Sequence, residues 1–170
     1  MLPPNAEEHF EGPQLDLARA IVAADFNRAH ALAPWSGLND RGPKGMTPLM
    51  FAVLCAHDRD PRRLDVVREL VRLGADVHAE YVTLGSPLEF AVMAESTAFL
   101  EAMLDGGVSP DARVQRGQTP MLFLVACVHG DARMRLLVDR GADVNARDAL
   151  GKTALMEALY AGQLDQVEYL

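Results

Sequence analysis

The chain is poor in the residues that cross-link a fold or carry chemistry. Its 170 residues hold two cysteines, one tryptophan and only 6% aromatic side chains. Two cysteines make at most one bridge, so no disulfide framework takes the place of a hydrophobic core. A run of about 18 apolar residues is also missing, which excludes a membrane-spanning helix. Cations are scarce: 16 Lys and Arg stand against 24 Asp and Glu, a formal charge of −8. Such a surface repels a nucleic-acid backbone or an anionic membrane, so neither is expected as a partner. No strand pattern precedes a glycine-rich loop, which removes phosphate-binding motifs from consideration. The start, MLPPNAEEHFEG, has neither the basic beginning nor the apolar run of a secretory leader. With Met1 as the native start, the expected compartment is the cytoplasm; if a leader has been removed, it is the periplasm.

What is plentiful is helix-forming and apolar. Nearly half the residues (49%) are hydrophobic, which rules out general disorder. Residues 1–13 read as a flexible polar tail. From Gln14 an apolar stripe of Leu15, Leu17, Ala18, Ile21 and Val22 follows helical spacing. A second short helix runs to Ala33, and Trp35, in the loop after it, is expected to staple that loop to the rest.

The most informative stretch is Leu136 to Leu155, LLVDRGADVNARDALGKTAL. Arg140-Gly141 ends a helix, because glycine enters the left-handed conformation without a Cβ penalty. Asp143 to Asp148 is turn chemistry, and Thr153 stands ready to cap a new helix. This pattern recurs. TPLMFA from Thr47, SPLEFA from Ser86, TPMLF from Thr119 and TALMEA from Thr153 are four copies of one helix start. Three of them place proline in the first turn, where a missing N–H costs nothing. Helix ends at Gly74-Ala75-Asp76, Gly107-Val108-Ser109 and Gly141-Ala142-Asp143 lie between them.

On these motifs the chain resembles the ankyrin-repeat family, whose period is about 33 residues. The resemblance covers Gln14 to Leu170. It implies an all-α ankyrin-repeat solenoid of about five helix pairs joined by short hairpin-type turns. The repeat domain would span residues 14–170, with a degenerate first repeat at 14–43 and an incomplete last one. The histidine usual after the TPL motif is replaced by Met50, Glu89, Leu122 and Met156, so its bonds to the turn must be made otherwise. Phe51, Phe90 and Phe123 share one repeat position and are expected inside the stack.

Cys55 and Cys127 lie two repeats apart, at roughly 8–10 Å per packed layer. A bridge needs Cα atoms within about 7 Å, so two unbridged thiols are expected. Cys55, His57, Asp58 and Asp60 are the only dense group of metal-ligand types, but the spacing matches no zinc pattern. The segment 55–63 reads better as an insertion in which Asp60 caps a helix starting at Pro61. A metal-dependent enzyme built on it is the alternative from another class. No catalytic residues, cofactor or metal are expected.

Function therefore falls to the surface, and another protein is the expected partner. The resemblance implies a concave groove made of hairpin tips and first helices. Its candidate binding residues are Tyr81, Val82, Thr83, Met93, Gln115, Arg116, Gln118, Leu150, Lys152 and Tyr160, with Tyr81, Met93 and Tyr160 as anchors. LARAIVAAD and GMTPLMFAV are similar to bacterial ankyrin proteins that act as immunity or inhibitor partners of effectors; an intracellular adaptor or scaffold is the competing reading. Leu164, Val167 and Leu170 sit on a last helix without a closing loop, which offers a dimer contact.

Overall fold

The structure, a computed structural model, describes residues 4–56, 60–82, 84–115, 117–128 and 131–170. Contacts divide them into two compact units. The first runs to Pro87 and takes in Asp105–Gly107; the second holds Leu88–Leu104 and Val108–Leu170.

In the first unit, α2 (Gly12–Val22) and α3 (Phe26–Leu32) form one antiparallel pair, and α4 (Pro48–Cys55) and α5 (Pro61–Arg72) form the next. The caps explain where each begins. Asp25 accepts from Arg28 N–H (3.0 Å) at α3, Thr47 from Met50 N–H (3.4 Å) at α4, and Asp60 from Arg62 N–H (3.0 Å) at α5. Helix α4 is apolar on every side and buried almost throughout, as a helix in the middle of a core must be. It packs against Leu17 and Ile21 of α2 and Val66, Val67 and Leu70 of α5, all buried. One buried acid, Glu69 of α5, meets His30 Nδ1 of α3 at 2.7 Å.

The expected flexible tail over residues 1–13 is corrected from Pro4 onward. Asn5 caps a short helix, α1 (Ala6–His9), and Phe10 behind it is fully buried. The Phe10 ring stands edge-on to Phe51, 5.2 Å between centroids at 87°, a favourable aromatic geometry. Gly42 lets this segment approach: a Cβ there would lie 2.0 Å from the His9 carbonyl oxygen. Trp35 is a second correction. The 3-10 turn Ala33–Trp35 buries Ala33 and leaves the indole 83% exposed.

The second unit contains three further pairs: α6 (Pro87–Met93) with α7 (Ala98–Asp105), α8 (Met121–Cys127) with α9 (Asp131–Asp139), and α10 (Ala154–Ala161) with α11 (Leu164–Tyr169). Its core is Leu88, Val92, Leu100, Met103, Met121, Val125, Met134, Leu137 and Ala158. Gly141 ends α9 at φ +87°, and Thr153 caps α10 through Met156 N–H at 3.3 Å. Arg133 of α9 is buried and donates to the Val92 carbonyl at 2.5 Å, supplying a proton to the last turn of α6. No disulfide joins Cys55 and Cys127.

Two expectations fail in this unit. Thr119 does not cap α8, which starts at Met121 with Pro120 before it. Instead Thr119–Pro120 (β2) pairs antiparallel with Arg113–Val114 (β1), and the Thr119 hydroxyl donates to Gln115 Oε1 at 2.8 Å. Strand pairing holds the residue away from the helix axis. Phe90 and Phe123 are only half-buried, whereas Phe51 is completely covered. Phe51 gains its cover from Phe10, while Phe90 meets Phe99 of its own pair, edge-on at 5.6 Å.

Replacing Phe10 by Ala is expected to cost about 3–5 kcal/mol in chemical denaturation, as for a fully buried aromatic. A tail residue would cost next to nothing. His9 adds a pH signature. Among the described residues its Nδ1 is buried without a hydrogen-bond partner, and burial, then Lys44, lower its imidazole below the ordinary value of 6.5, against a smaller opposing pull from Glu8. The unfolded chain then binds the proton more tightly, so stability is full above the ordinary value and falls as pH drops through the folded one. His9→Asn should flatten the melting temperature between about pH 7 and 5, where the wild type declines.

Candidate functional site: hairpin tips and exposed helix positions

The tips are shaped by side chains that bond backbone. Arg41, Arg113 and Arg147 each stand six residues ahead of the threonine of a repeated motif: Thr47, Thr119 and Thr153. Each guanidinium donates to a carbonyl of its own tip: Arg41 to Gly45 at 3.0 Å, Arg113 to Gln118 at 3.0 Å and Arg147 to Gly151 at 2.7 Å. Two of them also reach the following repeat, Arg41 at the Glu80 carbonyl (2.6 Å) and Arg113 at the Arg147 carbonyl (3.1 Å). Two residues earlier, Asn39 accepts from Asp76 N–H and Asp111 from Asp143 N–H, both at 2.7 Å. Each latch joins one repeat to the next within its own unit. The second repeat has Glu80 at the arginine position, and a carboxylate cannot donate such a bond.

The candidate residues sit on this frame. Tyr81, half-buried, closes its turn through an antiparallel bridge with Gly85, its N–H on the Gly85 carbonyl at 2.9 Å. Val82 beside it is 92% exposed. Thr83 and Arg116 lie outside the described residues.

In the second unit, Gln115 holds φ +50°, a left-handed conformation that costs a non-glycine residue energy. It is pinned there: its N–H donates to Glu89 Oε1 at 2.7 Å. Glu89 occupies the position of the missing histidine, so a carboxylate makes the link between helix start and turn. Gln118 is exposed at the same tip, and Met93 is 52% exposed at the end of α6. The last tip is fixed by Asp148, which accepts from Leu150 and Lys152 N–H at 2.9 and 2.8 Å. Leu150 is thereby held 80% exposed. Lys152 Nζ lies 5.9 Å from the Tyr160 ring centroid, within cation–π range, and Tyr160 itself is 88% exposed.

Cys127 is exposed on α8, yet partial burial, then the charges of Glu157 and Asp148, raise its thiol above the usual value. At neutral pH it stays protonated and is a poor nucleophile. The metal reading drew on His57 and Asp58, which lie outside the described residues. Of its other two members, Asp60 caps α5 and pairs with Arg62 at 2.8 Å, and the carbonyl of buried Cys55 accepts from Arg63 at 2.5 Å. Sequence reading missed the arginine latches, although their fixed distance from each motif threonine was visible. It also missed the exposure of Trp35 and Leu159, which only packing decides.

Two family models of ankyrin repeats match, one over residues 44–80 and one, in three copies, over residues 88–170. The chain belongs to the ankyrin-repeat family. Protein PhlB of Serratia liquefaciens is 33% identical over 148 residues, covering 86% of this chain and 62% of PhlB. The human photoreceptor ankyrin repeat protein is 37% identical over 114 residues, which is 64% of this chain and 25% of that protein. Mouse neurogenic locus notch homolog protein 1 is 32% identical over 192 aligned residues, 88% of this chain but 8% of that one. The chain thus spans less than two thirds of these relatives. Ankyrin repeats are typically non-catalytic modules that mediate protein–protein interaction. No helix among the described residues is long and apolar enough to cross a membrane.

The latches give a direct test. Arg113→Ala removes bonds to two carbonyls and should cost about 1–2 kcal/mol in denaturant unfolding, the net worth of one or two hydrogen bonds. Amide exchange in the hairpin around Gln115 and Gln118 should quicken.

Proposed function

We propose that this chain binds one partner protein through its hairpin tips and first-helix positions, without catalysis, and serves as an immunity or inhibitor partner of a bacterial effector. The observation that carries the binding reading is the exposure of Tyr160 and Leu150 beside Lys152. Large apolar side chains held in water on an ordered tip are what interface anchors look like in an unbound protein. The first-helix positions lie on hydrogen-bonded helix, so less backbone entropy is lost when they are covered than on an unstructured loop. The likeness to a bacterial protein across most of the chain supports a bacterial setting.

Affinity capture from the native host, followed by assay of the captured protein alone and with this chain, separates the readings. An inhibitor abolishes turnover at one equivalent; an adaptor leaves it unchanged. With the captured partner in calorimetry, the pair Leu150→Ala and Tyr160→Ala should weaken binding at least ~10-fold, about 1.4 kcal/mol. Helicity and melting temperature should not move, because neither side chain is part of the core. Unchanged affinity would remove this tip from the binding surface.

A further inference from the structure

We propose that residues 5–10 form an acid-sensitive strap, which lies closed near neutral pH and lifts as a unit when the His9 ring takes a proton. The repeats beneath it stay folded. The first observation is how little else holds the strap. Helix α1 is one turn, Ala6–His9, and a single turn does not persist by itself. Its two ion pairs, Glu7 with Arg19 of α2 at 3.2 Å and Glu8 with Lys44 at 2.7 Å, are exposed on both partners. Exposed pairs of this kind contribute little. The hold comes from buried Ala6 and Phe10, and from the rings that Phe10 and His9 set against Phe51.

The second observation is where the charge would sit. The His9 ring lies beside two phenyl rings, 6.3 Å from Phe10 and 6.2 Å from Phe51 between centroids. Among the described residues its buried Nδ1 has no hydrogen-bond partner. In the neutral ring that nitrogen can be a bare acceptor, whereas in the imidazolium both nitrogens are donors. Protonation thus puts an N–H where no acceptor waits, and a buried unpaired donor on a charged group is costly. The backbone cannot shift toward the repeats to relieve it. The His9 carbonyl is so close to Gly42 that a Cβ there would lie 2.0 Å from its oxygen. The ring reaches water by moving outward, and Phe10, next in the chain, leaves with it.

The surrounding charges leave this response to His9. Burial, then the Lys44 ammonium, outweigh the pull of Glu8 and hold the ring below its ordinary value. The other charged groups here are Glu7 on α1, Glu11, Asp16 and Arg19 at α2, and Asp40 and Arg41 in the loop before α4. Arg41 is bonded to the Gly45 and Glu80 carbonyls, and α4 itself carries no charge. Glu7, through its own backbone N–H and then Arg19, is held below the usual carboxylate value, as is Glu8 through Lys44. Both ion pairs therefore persist between about pH 7 and 5. A lifted strap returns His9 to its ordinary value. The closed form is fully favoured above that value and loses at most ~10-fold per pH unit below it, for one proton. Lifting bares Phe51, while α4 keeps its cover from α2 and α5.

Overall melting does not tell a lifting strap from a loosening stack, but site-resolved hydrogen exchange does. The full chain is followed by mass spectrometry between about pH 7.5 and 5, with rates corrected for the intrinsic chemistry. The reporter is the segment holding the Phe10 N–H, bonded to the Ala6 carbonyl at 3.0 Å. Its protection should be constant above about pH 6.5 and fall by up to ~10-fold per pH unit below. Protection of α4 and α5 should stay level. His9→Asn should keep the segment protected across the range. If that variant lifts the strap even at neutral pH, Lys44→Gln decides. With the repelling cation gone and Glu8 freed, the acid loss should shrink at least ~2-fold. Protection independent of pH overturns the proposal, as does a loss shared equally by all the helices. A loss that survives in His9→Asn places the titration at another group, such as His30 on α3, and overturns it too. So does a loss of wild-type size in Lys44→Gln.

Discussion

A pair of short helices such as α4 and α5, eight and twelve residues long, cannot bury both of its broad faces, and everything else in this protein answers that constraint. Helix α4 is the clearest case. It carries no polar face at all, so it is stable only where α2 and α5 cover it on either side. Stacking supplies the cover, and each repeat is stable chiefly through its neighbours. Where stacking stops, something else must take its place.

At the start, that substitute is α1 with Phe10. A single turn of helix is far too short to persist alone, yet one aromatic ring against Phe51 anchors it, and the absent Cβ of Gly42 lets the backbone come close. This explains why Phe51 is fully buried while Phe90 and Phe123, at the same repeat position, are not. Equal sequence positions receive unequal cover, because the neighbours differ.

Much of the frame was legible in the residues. Thr47, Asp60 and Thr153 cap helices as their types and spacing imply, and Gly74 and Gly141 end them in the left-handed region. Such signals are local, and local chemistry fixes them. What was not legible depended on distance in space. Phe10 is one aromatic among polar residues, without a period, and nothing in its neighbourhood announces a ring 41 residues away. Thr119 has the same sequence signature as Thr47, but pairing of β1 with β2 overrides the cap. Trp35 looks like a core residue by type and is nearly bare. Of the candidate tip residues, Val82, Gln118, Leu150 and Lys152 are exposed as a binding surface requires, whereas Tyr81 is half-buried and Gln115 is committed to its own turn.

That last contrast divides the tips by duty. The path of each hairpin is set by groups that bond backbone: the arginine six residues before the motif threonine, the asparagine or aspartate two before that, Asp148 at the last tip and Glu89 in place of a histidine. None of those bonds uses the side chain of Val82, Leu150 or Tyr160. These three could be any residue without altering the frame, and polar ones would suit water better. Their apolar character is therefore unexplained by folding alone. It is explained if another protein's surface meets them, because large apolar groups on a preformed tip gain from being covered and lose little freedom on binding.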